Sequence, residues 1–266
     1  MSEPTTPRSR RSTWSTLLVS LAVCLGCSLV VSVATVVLRP IQLEHRRAAR
    51  NARLADILGR QPALKELLGD LTTASLEERV VDLATGAFVT DVEPAGFDPL
   101  KAAAEPSTSR AVPPERDLAR IKRQALHGVV TLVSRGGAPE ALIVPIYGRG
   151  YGSIIRGSIA LSGDGNTVIG LLISDHGETP GIGSEITEED WTSLWPGKKV
   201  RDESGKLRLH VVVEETGAPD DDEAFHVDGI SGATRSTEGV GHMVQFWLGD
   251  DGYGPFLARA REGALR

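Results

Sequence analysis

The stretch "SIIRGSIALSGDGNTVIGLLIS", residues 153–174, decides how the chain is read. Ile154–Leu161 and Thr167–Ser174 are rich in β-branched and aliphatic residues, and "SGDGN" between them is a strong turn signal. Just upstream, "GVVTLVS" and "ALIVPIYG" are two more strands, separated by "RGGAPE". "RVVDLATGAFV", residues 79–89, reads as strand, turn, strand around Thr85-Gly86, and "LRLHVVV", residues 207–213, as a further strand. The last helix begins near Arg235. Val240, Met243, Val244, Trp247 and Leu248 follow i, i+3, i+4, i+7, i+8 and form one apolar face. Runs of adjacent strands with helices at the ends predict an α+β fold with a mainly antiparallel sheet flanked by helices.

Three segments are read less regularly. Leu43–Leu68 is predicted helical, interrupted near Gly59 and Pro62. Ala95–Pro114, rich in Ala, Pro and Ser, is expected to be a loop or mobile insertion. Asp117–His127 is expected to be a short helix. No internal repeat is visible.

The N-terminus differs in kind. Ser12–Leu38 carries no charge, and its strongly apolar part begins at Leu17. At about 1.5 Å rise per residue this part is ~33 Å long, enough for one spanning helix. Trp14 stands where an interfacial anchor would stand. A cleaved leader is the alternative, with "SVA" at Ser32–Ala34 as its cleavage site, but the apolar run continues through Val36, Val37 and Leu38. The uncleaved anchor is the preferred reading. Arginines flank both ends, so charge alone does not orient the span.

Charge is unevenly divided. Residues 1–50 hold seven Arg and no Lys against Glu3 and Glu44, a net of +5. The other 216 residues hold 22 Lys+Arg against 33 Asp+Glu, a net of −11, which together with the first part gives −6. An acidic body argues against sequence-independent nucleic-acid binding, which needs a basic face. Both cysteines, Cys24 and Cys27, lie in the apolar stretch and read as small hydrophobes. The body therefore has no intrachain disulfide and no Cys-ligated metal. The six histidines show no H-x-H or H-E-x-x-H spacing and imply no metal site.

Two glycine-rich segments carry candidate chemistry. "DGISGATRSTEGV", Asp228–Val240, precedes and enters the last helix. A first helical turn offers unpaired N–H donors and the positive end of the dipole, which favours a phosphate. Read alone, Ser231 and Thr234 are first those of an ordinary capped helix. "GISGA" is not a nucleophile elbow. "HGETPGIGSEI", His176–Ile186, follows an apolar strand directly, and Pro180-Gly181 requires a tight turn. Such a loop can lay N–H groups along a flat ligand, or be only a turn. Trp191 and Trp195 are four apart and read as core, and Lys198 and Lys199 as solvated.

Together these segments resemble the FMN-binding domain family. "DGISGAT" fits its flavinylation pattern D-x-x-[S/T]-G-A-[T/S], and "HGETPGIG" resembles its E-T-P-G-[L/I]-G flavin loop. "VPIYGRGYGS", "VDLATG" and the single N-terminal span look like the NqrC family of the Na⁺-translocating NADH:quinone reductases. The resemblance implies FMN attached through its phosphate to Thr234 by a separate flavin transferase. Asp228, Ser231, Gly232 and Ala233 would complete the modification motif. Glu178, Thr179, Pro180, Gly181, Ile182 and Gly183 would line the flavin. Related sequences often carry an aromatic residue at the position of Gly152, and Tyr151 is its candidate replacement.

The division that follows is a basic cytoplasmic tail (1–11), a transmembrane helix (12–38) and a juxtamembrane helix with the first part of the soluble domain (39–140). An FMN-binding domain (141–256) and a C-terminal tail (257–266) come after. The implied role is single-electron relay between other members of the complex, with no substrate-turning or metal site. The implied location is the bacterial inner membrane, single-pass, with the C-terminal domain periplasmic. The related flavin-bearing component of Rnf-type electron-transport complexes shares the flavin motif and is the alternative. A membrane-anchored binding or structural module without cofactor is the alternative of another class.

Overall fold

The computed structural model describes residues 14, 17–28, 32, 75–136, 138–213 and 220–265. The chain divides into two units, Met1–Ala52 and Arg53–Arg266. In the first, residues 17–28 are helical and exposed. Among the described residues no helix is long and apolar enough to cross a membrane. Much of the expected 12–38 span, and all of Leu43–Leu68, lie outside the described residues.

The second unit is built on a six-stranded antiparallel sheet. Its strands are β1 (Ser75–Asp82), β2 (Phe88–Val89), β5 (His127–Arg135), β6 (Ala138–Arg149), β7 (Ile154–Ser162) and β8 (Val168–Asp175), ordered β2-β1-β5-β6-β7-β8. The expected hairpins all form. At the β7–β8 turn the Asp164 carboxylate accepts from Asn166 N and from the Ser162 hydroxyl, which fixes the local chain reversal. Alternation sorts the strand residues by face. Leu142, Val144 and Ile146 of β6 enter the large core, while Ala141 and Ile143 join a smaller cluster with Val133, Ala160 and Ile169.

Helix α3 (Thr234–Leu248) runs along β6 with its apolar face inward. Val240, Met243, Val244, Phe246, Trp247 and Leu248 are each at most 2% exposed. Burial at roughly 1.5–3 kcal/mol per large apolar side chain holds this helix, against the roughly 1 kcal/mol that a helical glycine costs. Gly239 is needed there. A Cβ on it would lie 2.9 Å from Gly150 Cα and 3.0 Å from the Arg149 carbonyl oxygen. Further along, Trp247 Nε1 donates to the Tyr147 carbonyl at 2.6 Å and locks the helix to the strand. Helix α4 (Gly254–Arg261) follows, with Phe256 edge-on to Phe88 at 5.9 Å. Residues 257–261, expected as tail, thus belong to a packed helix, with Leu257 and Ala260 buried.

Three further expectations are corrected. Within 95–114 the chain forms helix α1 (Pro99–Ala104) and strand β3 (Ser109–Ala111), paired with β4 (Arg123–Ala125). Asp98 caps α1, accepting from Leu100 N and Lys101 N, and Pro99 suits the first helical position. Asp117–His127 is not a helix. The Asp117 carboxylate accepts from Ile121 N at 2.9 Å and Lys122 N at 2.7 Å, and Arg120 and Lys122 take positive φ. The side chain competes with the helical backbone and wins. The strand predicted at 207–213 shortens to β9 (His210–Val212), which pairs in parallel with β10 (His226–Asp228) outside the main sheet. Trp191 and Trp195 are both buried and meet edge to face at 5.6 Å, Trp191 within the short helix α2 (Glu189–Thr192).

Candidate functional site

Both glycine-rich segments meet at one end of the sheet, and Glu178 joins them. The chain leaves β8, and Glu178, 4% exposed, turns its carboxylate inward. Oε1 accepts from Gly152 N, Ser153 N and the Ser153 hydroxyl, each at 3.2 Å. Oε2 accepts from Tyr151 N at 3.1 Å and from the Ser236 hydroxyl at 2.6 Å. The β6–β7 loop, the loop after β8 and the first turn of α3 are thereby tied to one carboxylate. Burial pushes its pKa up, but the Ser236 hydroxyl and the N–H groups of Gly152, Tyr151 and Ser153 outweigh that and hold it below the ordinary glutamate value. Beyond Glu178 the chain turns at Pro180-Gly181, with Ile182 N donating to the Thr179 carbonyl at 3.2 Å and Gly181 at φ +73°.

The other segment leaves β10 under close restraint. Gly229 N donates to the Val212 carbonyl at 2.6 Å, Trp191 Nε1 to the Asp228 carbonyl at 2.7 Å, and Ala233 N to the Ile230 carbonyl at 3.0 Å. Gly232 takes φ +83°, a conformation in which a side chain is strained. Thr234 then opens α3. No side chain caps this helix, and its first turn holds no acidic residue. An ordinary side-chain cap is therefore not what forms here. The N–H end of a fifteen-residue helix is left open, which is a ready anion site.

The open end faces a pocket of about 430 Å³ lined by Tyr151, Thr179, Ile182, Gly183 and the run Gly232 to Ser236. That volume lies in the range of small-molecule sites. Of the residues expected at the flavin, Tyr151, Thr179, Ile182, Gly183, Gly232, Ala233 and Thr234 are brought together on its wall. Glu178 lies buried and engaged with Tyr151, Gly152, Ser153 and Ser236 rather than on that wall. Pro180, Gly181, Gly152 and Ser231 are exposed but do not line the pocket. Asp228 supplies its carbonyl to Trp191, and its carboxylate lies 3.7 Å from His226 Nε2. Arg235 and Ser236 also line the pocket, and neither belongs to the motif positions that the sequence singles out. A signal for Ser236 exists in its spacing, two residues into the helix, within reach of the loop that Glu178 closes.

Comparison with known proteins agrees with this geometry. Residues 150–249 match the FMN-binding domain family. The chain is 40% identical over 258 residues to the NqrC protein of the Na⁺-translocating NADH-quinone reductase of Pseudomonas aeruginosa, covering 96% of this chain and 98% of that one. It is 40% identical over 257 residues to the corresponding protein of Vibrio vulnificus, covering 97% and 99%. The chain belongs to the NqrC family of Na⁺-translocating NADH-quinone reductases. The crystal structure of Shewanella oneidensis NqrC superimposes with a TM-score of 0.64 at 34% identity, covering 77% of this chain and 91% of that one. The crystal structure of the equivalent protein from Parabacteroides distasonis superimposes with a TM-score of 0.52 at 28% identity, covering 68% and 77%. Members of the family are components of an oxidoreductase complex, and the match decides between the two flavoprotein alternatives in favour of the NADH-quinone reductase.

Proposed function

We propose that this chain is the flavin-carrying electron relay of a Na⁺-translocating NADH-quinone reductase, with FMN bonded through its phosphate to Thr234. The carrying observation is the placement of Thr234. It is exposed, it begins a helix with no side-chain cap, and it faces a pocket with Tyr151 and Ile182 on the wall. The first-turn N–H groups and the helix dipole would hold the phosphate. Gly232 and Ala233 leave room beside it, and Tyr151, Ile182 and Thr179 would receive the ring. When bound, FMN supplies one-electron acceptor and donor chemistry, and the protein supplies position and electrostatics.

Thr234 cannot attach the group unaided. Among the described residues no carboxylate or imidazole is hydrogen-bonded to its hydroxyl, and a threonine without a base is a poor nucleophile. A separate flavin transferase supplies the activation. The apolar stretch 12–38 anchors the chain in the inner membrane by a single span and holds the C-terminal domain on the periplasmic side, beside the other members of the complex.

The test is intact-mass and peptide analysis of the full chain produced with a flavin transferase. An FMN-sized addition on the peptide containing Thr234 is expected, with flavin absorbance surviving acid precipitation. Flavin that washes away, or that persists in Thr234→Ala, rejects the linkage. Co-purification in detergent with an Rnf-type complex instead of the reductase rejects the assignment to this complex.

A further inference from the structure

Arg235 follows Thr234 in the first turn of α3. Its guanidinium carbon lies 5.1 Å from the centroid of the Tyr151 ring, so the side chain reaches from the helix to the β6–β7 loop. Both residues line the pocket, and Arg235 is the sole charged side chain among its lining residues. Glu178, the buried acid between the two loops, is occupied by five donors. The first turn of α3 holds no acid, and among the described residues Arg235 takes part in no ion pair.

Its direction matters as much as its charge. A side chain at the start of α3 has two natural targets, the phosphate end of the site and the ring end. Stacking on Tyr151 places the guanidinium on the far wall, at the aromatic face. Gly152, beside Tyr151, leaves that wall without a second ring.

We propose that Arg235, held against Tyr151, raises the reduction potential of the flavin in this pocket by placing a positive charge beside the ring. The proposal rests on the reading that FMN occupies this pocket. In an equilibrium titration, where the electrode supplies two electrons and the medium one proton, reduced flavin would carry one more negative charge than oxidised flavin. A fixed cation in a partly enclosed site stabilises that charged product more than the oxidised form, and the midpoint rises. Arg235 is thus a positioning residue for charge. Both side chains are exposed, so the effect is screened by salt, and the stack on Tyr151 serves to fix where the guanidinium stands.

The experiment is a spectroelectrochemical titration of the full chain, flavinylated in the cell, as wild type, Arg235→Leu, Arg235→Lys and Tyr151→Leu. At a fixed applied potential, Arg235→Leu is expected to shift the reduced-to-oxidised ratio about tenfold toward oxidised, about 30 mV for a two-electron couple. Arg235→Lys should recover most of that shift, and Tyr151→Leu should fall between. An unchanged midpoint in Arg235→Leu overturns the proposal, as does an equal fall in the Leu and Lys variants, which would make shape rather than charge the cause. Reduced flavin attachment with an unmoved midpoint in the attached fraction also overturns it, since Arg235 would then serve the phosphate. If wild type carries no covalent flavin, the linkage reading fails by itself, and the same titration on protein reconstituted with free FMN decides the charge effect. A chain that holds FMN neither way overturns both.

Discussion

The two ends of helix α3 are finished by opposite means. At the C-terminal end, Arg201 is 8% exposed and donates to the Leu248 carbonyl at 2.9 Å and the Gly205 carbonyl at 3.0 Å. Asp250 Oδ1, on an exposed side chain, stands 3.5 Å away. A buried cation thus closes the negative end of the dipole and satisfies a terminal carbonyl. At the N-terminal end there is no side-chain cap at all, and the buried acid beneath it, Glu178, is already saturated by other donors. The same helix is completed by a side chain at one end and left without a side-chain cap at the other. Stability and function are therefore separable along it, and substitutions at the two ends should fail differently.

The largest expected effect is on Thr234→Ala, which should lose all covalent flavin, read by mass, while stability in urea changes by less than about 0.5 kcal/mol because the residue is exposed. Arg201→Met should do the reverse. It leaves the Leu248 and Gly205 carbonyls without their donor, costing roughly 3 kcal/mol in urea denaturation, with flavin attachment retained in the folded fraction. If attachment falls in Arg201→Met at full folding, the two ends are not independent.

Glu178→Gln comes next, at roughly 2 kcal/mol, because an amide nitrogen cannot accept from both Tyr151 N and the Ser236 hydroxyl. Its pH signature follows from the sign of the shift. The folded pKa is depressed, so the contribution is fully present above the unfolded value of about 4.5 and is lost as pH falls through the folded one. Wild type should therefore lose stability on that acid limb, and Glu178→Gln should flatten it. The smallest effect belongs to Gly232→Ala, about 1 kcal/mol from the positive φ, with slower flavin attachment as the measurement that separates it from a purely structural change.

The regular parts of this fold are legible in the sequence because their signals are local. The hairpins β5–β6 and β7–β8 announce themselves by glycine-rich turns between aliphatic runs, and α3 by its 3.6-residue period. What is not legible depends on side chains reaching across the chain. Asp117 cancels a helix by capturing two N–H groups four and five residues on. The start of α1 does carry a signal, Asp98-Pro99, hidden by the Ala- and Pro-rich composition around it. The parallel pairing of β9 with β10 links segments on either side of an acidic stretch and has no turn to mark it. At the site, the two glycine motifs are visible, but the orientation of Glu178 is not. Its letter sits in the flavin loop, while its carboxylate belongs to the loop 151–153 and to Ser236. Tyr151, the candidate for the empty aromatic position, lines the pocket with Arg235 stacked on it.

The restraints on the segment before α3 bear on when the chain matures. Gly229 is held to Val212, Asp228 to Trp191, and Ala233 to Ile230, so the corner carrying Thr234 is already rigid in the folded chain. A modifying enzyme that needs an extended peptide would have to break these contacts first. One that recognises the finished corner meets an exposed threonine with nothing to undo. Under the proposed linkage, an enzyme of the second kind would modify only the folded chain, and an unfolded or misfolded copy would pass through the cell uncoloured.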